Sequence, residues 1–175
     1  TLGDRIVIMK DGFIQQVGTP DEVFDMPNNL FVAEFIGAPK MNTFQAELVK
    51  ENDRYFVKAF DAKLEVDGEK GELLKKKNTG SRKVILGVRP EHVVLADAKA
   101  DNTIECTIQV NEMMGSEVHL HVLTGKGEQL IVRVPTVNLS HEQRAGLGNG
   151  SKIYITFAGK VMHFFDPEDT KNILI

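Results

Sequence analysis

From Lys83 onward, apolar and polar residues alternate with the two-residue period of strands that bury one face. The pattern predicts strands over residues 84–88, 103–113, 117–123, 129–134, 152–157 and 161–165. Glycine-bearing turns punctuate them at Met114-Gly115-Ser116, Gly125-Lys126-Gly127, the Gly146 to Gly150 stretch and Ala158-Gly159-Lys160. Short strands at this spacing predict a small barrel or sandwich. One run breaks the alternation. Val84-Ile85-Leu86-Gly87-Val88 is wholly apolar, as a buried strand would be. Pro90 ends it, because proline brings no N–H to a ladder and holds the preceding residue extended. Arg89 and Glu91 are thereby fixed at the exit of a core strand, either as an internal ion pair or as groups aimed at a neighbouring surface.

The first forty residues have a different texture. Residues 5–10 and 13–17 are short β runs joined by Asp11-Gly12, a pair that supplies the positive φ angles of a tight hairpin. Thr19-Pro20-Asp21-Glu22 then reads as a helix start, with Thr19 as N-cap and Glu22 completing a capping box. That helix runs to about Asp25 and stops before Pro27. A second starts at Asn28 or Asn29, with Leu30, Phe31, Ala33, Phe35 and Ile36 as its apolar faces and Gly37 at its end. Strands follow over 44–49, 55–60 and 64–66, then a short polar helix over 69–77 whose final Lys75-Lys76-Lys77 suits a solvated C-terminus. Residues 43–90 and 103–165 echo each other weakly, without a periodic motif. Phe31, Phe35, Phe157, Phe164 and Phe165 are the aromatic core candidates.

Composition narrows the function. A chain of 175 residues that is 42% apolar can bury a core as one domain or two small ones. A net charge of −4 and the lack of tryptophan argue against a nucleic-acid groove, which needs basic and stacking residues. A single cysteine, Cys106, fits a reducing compartment and reads as a small buried hydrophobe. No apolar run approaches the ~20 residues of a membrane span. The opening Thr1-Leu2-Gly3-Asp4-Arg5 has neither an initiating methionine nor signal-peptide character, so the chain is expected to be a piece of a longer protein. The Asn138-Leu139-Ser140 sequon carries no weight in that setting.

Catalytic signals are weak. The sequence has no Gly-x4-Gly-Lys-Ser/Thr loop. The glycines at 146, 148 and 150 lie between β runs and read as a turn. His141-Glu142 opens like a zinc-protease helix, but the second ligand position holds Ala145. His119 and His121 share one strand face, and two imidazoles fall short of a zinc site's three or four protein ligands. They read as polar-face residues opposite Val118, Leu120 and Val122. No catalytic, cofactor-binding or metal residue is assigned.

Residues 2–12, 15–20, 27–37 and 41–42, which include Leu2-Gly3-Asp4-Arg5-Ile6-Val7 and Met41-Asn42, resemble the tail of an ATP-binding-cassette ATPase of the sugar-importer type. The rest resembles the transport-associated OB (TOBE) domain of that subfamily. Its phrases here are Gly87-Val88-Arg89-Pro90-Glu91-His92, the turn from Glu112 to Glu117, and Phe164-Phe165-Asp166. The resemblance implies a mainly β fold, with OB-like, MOP-type small barrels after a β-hairpin and short helices. It implies a domain boundary near residue 40, with 1–40 the end of the ATPase domain and 41–175 a regulatory and dimerisation domain. ATP and Mg would be bound by the upstream part of the parent subunit, so this fragment is expected to need no cofactor. The implied parent is a cytoplasmic subunit, peripheral to the membrane, that works as a homodimer under two permease subunits, with a solute-binding protein acting indirectly and carbohydrate as cargo. A regulatory protein or small molecule would act on the β-rich domain. By the same likeness Arg89 and Glu91 would lie near a domain or subunit interface, and Glu112, Gly115, Ser116 and Glu117 would form a regulatory surface. The alternative is a module of OB-like fold that binds an oxyanion such as molybdate at a subunit interface.

Overall fold

The computed structural model describes residues 3–175, so Thr1 and Leu2, where the tail-like stretch begins, lie outside it. β1 (Ile6–Lys10) and β2 (Phe13–Gly18) form an antiparallel hairpin. Asp11 and Gly12 turn it with φ of 52° and 83°, the double positive φ that matches strand twist. α1 (Pro20–Asp25) starts on the expected capping box, with the Thr19 and Glu22 side chains each bonded to the other's backbone. α2 (Leu30–Phe35) is capped by Asn29. Its buried residues are Val32 and Ala33, whereas Phe35 is 62% exposed, which corrects its reading as a core residue. A six-residue helix packs one narrow face, and Phe35 instead stacks on Phe31 at 5.7 Å.

Ten strands build the rest. β3 (Asn42–Glu51), β4 (Arg54–Ala59), β5 (Ala62–Glu65), β6 (Arg82–Val88) and β12 (His163–Phe165) make an antiparallel sheet in the order β12-β6-β3-β4-β5. β7 (Val94–Ala96), β8 (Ile104–Met113), β9 (Glu117–Thr124), β10 (Gln129–Pro135) and β11 (Lys152–Thr156) make the second, in the order β10-β9-β8-β11-β7. The last strand therefore returns to the first sheet, and one apolar core takes side chains from both. Asn42 also joins them. Its side-chain amide donates to the Ile131 carbonyl and accepts from the Ile131 N–H, both at 2.8 Å, so it pairs with a backbone unit of edge strand β10.

α3 (Gly68–Lys76) links β5 to β6 and buries Leu74, while Lys75 to Lys77 stay in water. Two elements escaped the sequence pattern. β7 has three residues and gains its register only from β11, and α4 (His141–Ala145) follows a Ser140–Gln143 capping box. Cys106 is buried, and burial pushes its thiol up to about 12, so it behaves as a hydrophobe. Among the described residues no helix is long and apolar enough to cross a membrane.

Gly71 separates two opposing effects. Alanine there would gain up to about 1 kcal/mol of helix propensity. Its Cβ would however stand 2.3 Å from the Val66 carbonyl oxygen, and backbone cannot swing aside as a side-chain tip can. Gly71→Ala is therefore expected to destabilise by about 1–3 kcal/mol in urea unfolding, and a stability gain would refute the close approach.

Candidate functional site

β6 leaves its sheet at Arg89, whose φ of −69° and ψ of 145° are the extended values that Pro90 imposes. The side chain turns inward and is 1% exposed. Nη1 donates to the carbonyls of Ile36 at 2.7 Å and Ala33 at 3.3 Å, and Nη2 donates to Phe24 at 3.0 Å. The guanidinium also lies 3.9 Å from the centre of the Phe24 ring. These carbonyls close the C-terminal ends of α1 and α2, where unpaired oxygens carry the negative end of the helix dipole. Neither helix has a basic residue in its own last turn. Arg89 supplies that cation from the barrel and binds both helices to it. Burial draws its pKa below the ordinary value, opposed by Glu91 and Asp25. Glu91 itself is solvent-exposed, so the internal Arg–Glu pair is replaced by an arginine–carbonyl cap.

The other candidates lie at the joined ends of β8, β9 and β10. Gly115 turns the chain at φ 87°, and the Met114 N–H closes the turn on the Glu117 carbonyl at 2.8 Å. The Thr136 hydroxyl donates to the carbonyls of Gly115 at 3.1 Å and Ser116 at 3.0 Å, which docks the loop after β10 on this turn. Glu112, His119 and Arg133 face one another across three adjacent strands. Glu117 accepts from Arg133 Nε at 2.5 Å and meets His119 Nε2 at 3.0 Å. Arg133 first, then His119, hold its carboxyl below the usual range. Glu112 reaches 3.8 Å from His119 and 3.9 Å from His121. Val118, Leu120 and Val122 are buried on the opposite face, as the alternation requires. Met113, Met114 and Val137 are exposed beside this polar row, Val137 by 89%.

Arg89 is thus brought to α1 and α2, while Glu112, Gly115, Ser116 and Glu117 gather at a separate turn, and exposed Glu91 acts electrostatically on Arg89 and on Arg133 without an ion pair to either. Lys70 is not among the residues the sequence singles out, and His163, which the sequence cannot place beside His119 and His121, is buried in β12 away from them. Lys70 shares a helical face with Leu73 and Leu74, at spacings of three and four, and that periodicity was the available signal. Thr136 carried no such signal.

The MalK OB fold domain family matches residues 37–93 and the TOBE domain family matches residues 86–165. Their overlap holds the end of β6 and Arg89. The putative uncharacterized ABC transporter ATP-binding protein YcjV of Escherichia coli K12 is 37% identical over 168 residues, covering 96% of this chain and 43% of that protein. The oligosaccharides import ATP-binding protein MsmX of Bacillus subtilis is 33% identical over 172 residues, covering 96% of this chain and 44% of that one. The chain thus spans less than half the length of these curated relatives. Among solved structures, the cytoplasmic molybdate-binding protein ModG aligns with a TM-score of 0.49 at 14% identity, over 69% of this chain and 92% of that one. The chain belongs to the ABC transporter ATP-binding proteins, of which it is a MalK-like OB and TOBE region.

Proposed function

We propose that this region is a non-catalytic regulatory and dimerisation unit of the ATP-hydrolysing subunit of an ABC importer for carbohydrates. The observation that carries the reading is the pairing of two apolar surfaces on opposite parts of the chain with matches to import ATP-binding proteins. Val7, Met9, Phe13, Ile14 and Val17 are exposed on the β1–β2 hairpin. A two-stranded hairpin is marginal alone and needs cover, which the remainder of the ATPase domain would provide. ATP and Mg bind in that remainder, and permease subunits hold the assembly at the inner face of the membrane.

Met113, Met114 and Val137 form the second surface, around the Gly115-Ser116 turn. Two copies meet there, and a regulatory protein competes for the same polar rim of Glu112 and Glu117. Equilibrium sedimentation of the chain is expected to give a dimer that Val137→Asp weakens about tenfold or more, since Val137 makes no buried contact that folding requires. A strict monomer at high concentration would remove the dimerisation claim, and undiminished association of the variant would move the interface elsewhere.

A further inference from the structure

A cavity of about 330 Å3 lies between α1, α3 and the turn before β12, lined among others by Asp25, Glu69, Lys70, His92, Lys160 and His163. That volume is at the small end of ligand sites. Its inner wall and its mouth differ in charge. Lys70 is 9% and His163 is 5% exposed, whereas Asp25, Glu69 and Lys160 stand in water. The Lys70 ammonium gives one N–H to the Met162 carbonyl. Among the described residues no carboxylate comes within 4.0 Å of it, or of the neighbouring Arg89.

The histidines are also unsatisfied. Nδ1 of His92 and Nδ1 of His163 are buried without a hydrogen-bond partner. A buried polar atom left so costs about 1–3 kcal/mol. Burial drives the His163 pKa down to about 2, with Lys70 and Arg89 adding to the effect, and burial likewise lowers His92. Burial also pulls Lys70 down to about 8. A buried cation, Lys70, and two neutral imidazoles thus line the cavity, whose carboxylates, Asp25 and Glu69, stand in water and act on Lys70 only from beyond 4.0 Å. Structures keep such costly groups where a partner offsets them.

We propose that this cavity binds a small organic anion, with its carboxylate or phosphate head on Lys70 and an imidazole N–H of His163 as second donor. The bound molecule touches α1 on one side and the barrel on the other. Its occupancy therefore reinforces the tie that Arg89 makes between the N-terminal helices and the barrel.

Calorimetric titration with succinate and with inorganic phosphate tests the site, alongside imidazole nitrogen NMR of the unaltered chain. Saturable one-to-one binding of either anion is expected, with a shift of the His163 ring nitrogens. Succinate alone would assign a carboxylate head, phosphate alone a phosphate head, and both the shared chemistry. Lys70→Met is expected to fold, because its charge is buried at a cost, and to weaken binding about tenfold or more. No saturable binding of either anion below about 10 mM would overturn the proposal. So would full affinity in the variant, or an unmoved His163 signal at saturation.

Discussion

Replacing Arg89 with alanine is expected to cost about 3–5 kcal/mol of stability and to unpin the first two helices from the barrel. Two effects oppose each other. Removing a buried guanidinium relieves its desolvation, which by itself would stabilise. Against this, the carbonyls of Ile36, Ala33 and Phe24 lose a shared charged donor, and the Phe24 ring loses the group stacked on it. The deleted side chain also leaves a void at a fully buried position. The loss outweighs the relief because those oxygens have no alternative donor in the last turns of their own helices. Methionine fills the volume without the donors, so Arg89→Met is expected to lose only about 1–2 kcal/mol. Urea unfolding measures both differences, and hydrogen exchange at the amides of α1 and α2 locates them. A loss under about 1 kcal/mol for alanine, with exchange unchanged, would show that the helices are held by packing alone.

How much of this was legible depended on sequence distance. The Asp11-Gly12 hairpin, the Thr19 cap and the alternating strands rest on neighbours within a few residues, and they form where the pattern puts them. The strand ending in Arg89-Pro90 was equally readable, but its consequence was not. Arg89 bonds to residues 53 to 65 positions earlier, and no local rule states which distant helix ends will need a cation. The same distance hid the pairing of β12 with β6, which draws His163 into the core beside Lys70. The three residues of β7 are too short for a period to show, and Ser140–Gln143 went unread beside the more conspicuous His141-Glu142. Phe35 failed for the converse reason, since an apolar identity does not say whether a two-turn helix has a second partner.

Lowering the pH from about 7 to about 5 is expected to remove about 2 kcal/mol of stability through His163 alone. The sign follows from the proton count. In the folded chain burial lowers the His163 pKa from 6.5 to about 2, so the ring stays neutral across this window. The unfolded chain takes up that proton below about 6.5 and the folded chain does not, so the unfolded state gains with every step toward acid. The full stabilisation is present above the unfolded value and is lost progressively from there down to the folded one, at a limiting slope of about 1.4 kcal/mol per pH unit. Lys70 and Arg89, the cations acting on His163 from α3 and the end of β6, reinforce the shift, and His92 moves in the same direction. The carboxyls of Glu51, Glu65, Glu117 and Asp166 are also held low, but they act only under the ordinary carboxylate range, so the interval above about pH 5 reads the imidazoles. Lys70 contributes in a different window. Its pKa falls from 10.5 to about 8, so stability rises with pH between those values. Urea midpoints across the acid interval, for the unaltered chain and His163→Gln, decide the matter. The variant is expected to start lower and to decline less by about 2 kcal/mol, whereas parallel profiles would mean that water reaches His163 and that the ring charges without resistance.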